Sequence, residues 1–240
     1  MAGPLEQFEI KPIVPIQVGD LDLSFTNSSL FMVIAAVLIT AFLTTSMRGR
    51  ALVPTRLQSL AELSYEVIAN MIRDNVGSDG RKYFPFVFSL FMFVLFGNLL
   101  GLIPGAFTFT SHIIVTFALA ALIFIGTTII GIARHGTNFL QLFFPPGAPL
   151  WTAVILVPVE LVSYLSRPIS LSVRLFANMT VGHVMLKVIG GFVVVLGVFG
   201  VLPILALVAI TGLEVLIAVI QAYVFAILTC VYLHDALHLH

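Results

Sequence analysis

The chain has 240 residues, 60% of them hydrophobic and only 9% charged, with 11 basic residues balancing 11 acidic ones. Soluble domains carry about 25% charged residues, so the composition excludes a soluble globular domain and points to an all-α, multi-pass membrane protein. The even charge balance leaves no electrostatic footprint for nucleic acid, and the single cysteine, Cys230, excludes an internal disulfide.

Residues 1–26 are polar and broken by Pro4, Pro12 and Pro15. They lack a basic start followed by an apolar core, so an extramembrane arm is expected there rather than a signal peptide. Residues 27–47 carry no charge and are long enough to span a bilayer. Arg48, Arg50 and Arg56 follow. Clustered arginines mark the cytoplasmic side, which puts the N-terminus outside and the C-terminus in the cytoplasm.

Residues 57–76 have a different texture. Leu57, Leu60, Leu63, Val67, Ile68, Met71 and Ile72 fall on one helical face, and Ser59, Glu62, Glu66, Asn70 and Arg73 on the other. This predicts an amphipathic helix lying in the interface. Further spans are expected over 83–104 and 112–133, within a single membrane domain covering 27–240. Gly97, Gly101 and Gly105 repeat every fourth residue, which predicts close helix–helix contact. Asn138–Phe144 reads as a short interfacial segment ended by Pro145, Pro146 and Gly147.

Two long apolar stretches close the chain, at 150–187 and 192–233. As one helix, the first would be roughly 57 Å long, nearly twice the ~30 Å hydrocarbon thickness. Either each stretch is cut at Pro168 and Pro203, or each is one steeply tilted element. Gly190, Gly191, Gly197 and Gly200 mark the turn between them.

Arg174 stands in the first of these stretches, flanked by Leu171, Val173, Leu175 and Phe176, with no acidic residue within ten positions on either side. An arginine at the bilayer centre costs from ~3 kcal/mol to ~10 or more, and guanidinium does not shed its proton to escape. A group outside its own helix must therefore favour the charge. An antiparallel hairpin centred near Val198 brings Arg174 opposite Gln221 and His183 opposite Glu214. At 100° per residue, Glu160, Arg167 and Arg174 share a face, and His183 points away from it. Intramembrane ionisable groups are functional by default. The bland alternatives are interhelical hydrogen bonds for Asn98, Asn178 and Gln221, and an interfacial or structural charge for Arg167. His234, His238 and His240 form no cluster with other metal-ligating residues, so no metal or cofactor is expected.

The run SLSVRLFANMTVGH, from Ser170 to His183, resembles the signature of the a subunit of F-type ATP synthases. The likeness continues through GNLLGLIPG at Gly97–Gly105, through Glu214, and through the segment beginning Gln221-Ala-Tyr-Val-Phe. It covers most of the chain beyond about residue 30. The resemblance implies a non-catalytic stator subunit in a bacterial plasma membrane. Its partners would be the rotor c-ring, b-type peripheral stalk subunits, other synthase subunits, membrane lipid and protons. Arg174 would face the rotor carboxylates, and Glu160, Asn178, His183, Glu214 and Gln221 would line or border two proton half-channels. Histidine at 183 with glutamate at 214 is similar to the mitochondrial and related bacterial arrangement; many other bacterial members exchange the two. A stand-alone proton-coupled transporter is the alternative, but no internal repeat of that kind is visible. Neither GxSxG nor HExxH appears, which counts against an intramembrane enzyme.

Overall fold

Residues 9–15, 17–18, 21–22, 24–48, 54–103, 105–136, 139 and 152–238 are described by the computed structural model. In the arm, β1 (Pro12–Val14) pairs antiparallel with β4 (Phe25–Thr26), and β2 (Gln17–Val18) with β3 (Leu21–Asp22). Asn27 ties this arm to the membrane domain: its side chain donates to the Glu9 carbonyl at 3.0 Å. Thr26 caps α1 (Asn27–Met47) by accepting from the Ser29 amide, and Thr55 caps α2 (Arg56–Asn75) by accepting from that of Gln58. Each cap satisfies one of the amides that a helix start leaves unpaired.

A tight helical turn, Ser78–Tyr83, leads into α3 (Phe84–Gly101), with Pro85 in the first turn, where its missing N–H costs nothing. A second tight turn, Phe109–Ser111, precedes α4 (Ile113–His135). The chain closes with α5 (Ala153–Leu196), the turn Gly197–Gly200 and α6 (Val201–Leu237). Five of these helical stretches are long and apolar enough to cross a membrane, as the composition predicts. The predicted interfacial segment Asn138–Phe144 lies outside the described residues apart from Phe139, which packs under Gly131.

The core is built around α6, which packs against α2, α3, α4 and α5. Val87, Phe91 and Val94 of α3 share one buried cluster with Ile68 and Ile72 of α2, Ile123 of α4, Leu171 and Leu175 of α5, and Phe225 of α6. The amphipathic helix α2 divides along its length: Ile68, Met71 and Ile72 are buried, whereas Leu57, Leu60 and Leu63 are exposed.

Of the two readings of the first long stretch, the structure takes the unbroken one: a single helix of 44 residues running through Pro158 and Pro168. A proline inside a helix frees a carbonyl four residues back, but in a membrane bundle neighbouring helices and side chains re-satisfy such groups. The turn of the hairpin starts at Gly197, and Gly190 and Gly191 stay helical. The glycine repeat at 97, 101 and 105 does not seat another helix. A Cβ at Gly97 would lie 2.5 Å from Phe109, and one at Gly101 2.6 Å from Thr108. Both belong to the connection that follows α3, and Gly105, at φ +88, provides its reversal.

Candidate functional site

The long hairpin presents its polar groups in one register. Asn178 donates from its side chain to Gln221 Oε1 at 2.8 Å. Gly182 backs directly onto Glu214, where a Cβ would come within 2.6 Å of the carboxylate. The sequence register therefore holds at Glu214, opposite Gly182 and His183. Gln221 takes Asn178, one helical turn past Arg174, as its hydrogen-bonded partner. Asn98 of α3 reaches the same helix, donating to the Ala218 carbonyl at 3.5 Å, which agrees with a packing role.

Arg174 stands at the midpoint of α5. Leu171 and Leu175 beside it are buried in the core, but Arg174 itself is exposed. Around it the outward surface of the hairpin is apolar: Ile169, Val173 and Val181 on α5, and Leu216, Ile220 and Tyr223 on α6 are all exposed. Among the described residues, no hydrogen bond or ion pair engages the Arg174 guanidinium.

Arg167, two helical turns away, behaves differently. It pairs with Asp235 near the end of α6 at 2.7 Å, and its guanidinium lies over the rings of Tyr164 and Tyr232. This is the structural charge that the sequence reading expected. Its partner Asp235 was missed, because the antiparallel register centred near Val198 sets residue 167 opposite residue 229 and not 235. Glu160 is half-buried on the same helix, with no hydrogen bond or ion pair among the described residues.

His183 and Glu214 are both buried, at 8% and 7% exposure, so His183 indeed points away from the Arg174 face. His183 does not bond Glu214. Its Nε2 lies 3.1 Å from the Thr108 hydroxyl, which is also 3.3 Å from the Gly101 carbonyl. A carbonyl only accepts, so the hydroxyl hydrogen goes to Gly101 and its oxygen accepts Nε2–H. The ring is thereby positioned by Thr108, a residue that sequence reasoning missed. Nothing in a lone threonine after GNLLGLIPG signals this role.

Both Glu214 carboxylate oxygens and Gln221 Nε2 are buried without a hydrogen-bond partner. Glu214 and Asn178 line a cavity of about 240 Å³ together with His183. A second cavity of about 290 Å³ runs from Gly101–Ala106 to Lys187 and Thr211, and His183 lines that one too. Cys230 is buried and unoxidised. No group of three or more metal-ligating side chains occurs among the described residues.

Fold and site together define a polytopic membrane protein that carries ionisable groups deep within its spans. The family model described as ATP synthase A chain matches residues 29–234. The chain is similar to ATP synthase subunit a of Paramagnetospirillum magneticum, at 65% identity over 247 residues covering 100% of both chains. It is similar as well to subunit a of Rhodospirillum rubrum, at 61% over 241 residues and 100% of both. Subunit a of Parvibaculum lavamentivorans is 54% identical over 242 residues, covering 98% of this chain and 93% of its own. The chain belongs to the ATP synthase subunit a family.

Proposed function

We propose that this chain is the stationary proton-path subunit of an F-type ATP synthase, in a bacterial plasma membrane with its N-terminus outside. It carries out no bond-forming chemistry itself. It offers a c-ring rotor two half-channels separated by Arg174, and b-type stalk subunits hold it still. The observation that carries this reading is Arg174 itself: a permanent charge, exposed at the middle of the longest described helix, within an apolar surface and without an ion-pair partner among the described residues.

The physics supplies the mechanism. A rotor carboxyl must be neutral while it faces lipid, because an unpaired charge there is costly. Opposite Arg174 the ionised form is favoured. At ~4 Å and an effective dielectric of about 20 the attraction is roughly 4 kcal/mol, which lowers proton affinity by up to about a thousandfold before desolvation is subtracted. The same fixed charge repels protons and so blocks a direct leak. Lysine is a poorer barrier because it deprotonates when buried.

The outer half-channel follows the two cavities that share His183, with Glu214 and then Asn178 and Gln221 leading toward Arg174. An unpartnered carboxylate beside a cavity is a group that a mobile proton reaches. The inner half-channel leaves past Glu160, on the far side of Arg174. The drive is ~2.3 kcal/mol per charge per 100 mV.

The test is ATP-driven proton pumping by Arg174→Ala and Arg174→Lys complexes in inverted vesicles. Both lose pumping while the complex still assembles, because removing an uncompensated charge does not destabilise the bundle. Normal pumping by assembled Arg174→Ala complexes refutes the reading.

A further inference from the structure

We propose that the pocket between the second half of α2, the Ser78–Tyr83 turn and the start of α3 holds the phosphate of an anionic phospholipid. The pocket encloses about 620 Å³, more than either cavity at His183. Its polar wall is Arg73, Arg81, Asn70 and Ser78, and its apolar wall is Ile72, Phe84 and Pro85. No acidic side chain lines it.

The two cations are available to a ligand. Arg81 has no hydrogen bond or ion pair among the described residues. Arg73 meets only the neighbouring Asp74, at 3.6 Å, with both side chains largely exposed. The nearest acid in the turn, Asp79, does not neutralise Arg81, because Arg134 of α4 takes it. The turn is held against α2 at close range: a Cβ on Gly80 would lie 2.7 Å from Ile72, and Gly77 adopts φ +84 to start the reversal. That packing fixes the spacing of Arg73 and Arg81 across the pocket.

The chemistry selects a lipid. Guanidinium groups present paired donors that match phosphate oxygens, and basic pockets at the cytoplasmic ends of spans suit anionic headgroups. A free phosphate ion would use the polar wall alone. The apolar wall of the same pocket, Ile72, Phe84 and Pro85, continues the polar one at the start of a span, where an acyl chain would lie. A docked protein segment would have no need of that continuity. Lys82, lying over the ring of Tyr83, adds a cation at the same level.

The test uses the assembled complex, stripped of lipid in detergent and offered vesicles of phosphatidylglycerol and phosphatidylcholine, with retained lipid counted by native mass spectrometry. The native complex is expected to keep phosphatidylglycerol preferentially. Arg73→Gln with Arg81→Gln should hold about tenfold less of it, with phosphatidylcholine unchanged. Should the double variant fail to assemble, Arg81→Lys keeps the charge without the fork and should show a partial loss. Undiminished phosphatidylglycerol in the variant that assembles overturns the proposal. So does release of the lipid by millimolar inorganic phosphate, which would mark a free-anion site. Capture of another subunit by a photo-crosslinker at position 81 overturns it too, in favour of a protein partner.

Discussion

Helix α3 and the α5–α6 hairpin are both apolar enough to span a membrane, yet they are built to opposite ends. In α3 and its lead-in turn, 44% of the most apolar stretch is buried inside the chain; in α5 the figure is 6%. Val87 and Val94 of α3 are sealed from every side, whereas Val162, Val181 and Leu213 of the hairpin face outward. The charged and titratable groups follow the same division. Helix α3 has no ionisable side chain, Asn98 being a neutral amide, while the hairpin carries Glu160, Arg167, Arg174, His183, Lys187, Glu214, His234 and Asp235. Apolar character in α3 serves internal packing. In the hairpin much of it faces outward, and internal packing falls to one row on each helix, where Leu171, Leu175 and Phe225 are buried beside small residues such as Ala218 and Ala222.

That division predicts which substitutions break the fold and which break only the work. Gly97→Val in α3 places branched methyls where even a Cβ would sit 2.5 Å from buried Phe109. Overpacking of about 1–3 kcal/mol or more is expected, read as loss of the chain from assembled complexes. Arg174→Ala should leave that yield unchanged and abolish pumping. Loss of assembly in both variants would erase the distinction between the two regions.

Gly182→Ala sharpens it. The added methyl meets Glu214 at 2.6 Å, and the mobile end of that side chain gives way. Passive proton flux through the membrane sector should fall roughly tenfold with assembly intact, since a misplaced group costs rate rather than fold.

A smaller effect concerns coupling. His183 and Glu214 share a cavity without bonding each other, so they should interact through its electrostatics. His183→Glu combined with Glu214→His should recover more flux than either single exchange, with a coupling of about 0.5–3 kcal/mol. Strictly additive effects would make the two groups independent.

The smallest effect lies outside the spans. The hydrogen bond from Arg134, with its charge, holds the Asp79 carboxyl below its usual pKa of 3.8. A carboxyl depressed in the folded state contributes stability that is complete above the unfolded value and disappears as the pH falls through the folded one. Asp79→Asn should therefore lower the melting temperature slightly at neutral pH, and by less at an acid pH below 3.8. An equal loss at both pH values would show that the carboxylate charge contributes nothing.

Much of this was legible in the sequence because the bilayer is a severe solvent. A lone arginine in an apolar run stands out whatever surrounds it, and the long final stretches required either a break or a tilt. The antiparallel register placed Glu214 correctly because helix pairing is arithmetic over short distances. It drifted by one turn at Gln221. What remained hidden depends on chain connections. Thr108 reaches His183 only because the turn after α3 folds back onto the glycine face of that helix, and no local pattern encodes such a return. The choice between a broken and an unbroken α5 stayed open at Pro168, since proline tolerance is granted by neighbours and not by sequence.

The length of α5 has a geometric corollary. Its 44 residues extend roughly 66 Å, and exposed apolar side chains recur along it from Val154 to Leu196. To keep that whole row within ~30 Å of hydrocarbon, the axis must lean roughly 60° from the bilayer normal. Positions along α5 are then displaced sideways more than they are in depth, like points on a shallow screw thread. Glu160 and His183, separated by 23 residues, stand roughly 30 Å apart along the plane of the membrane. On the proposed reading, an ion entering beside one and leaving beside the other would be carried tangentially, and the inclination of a single helix would set the arc through which the proposed rotor turns.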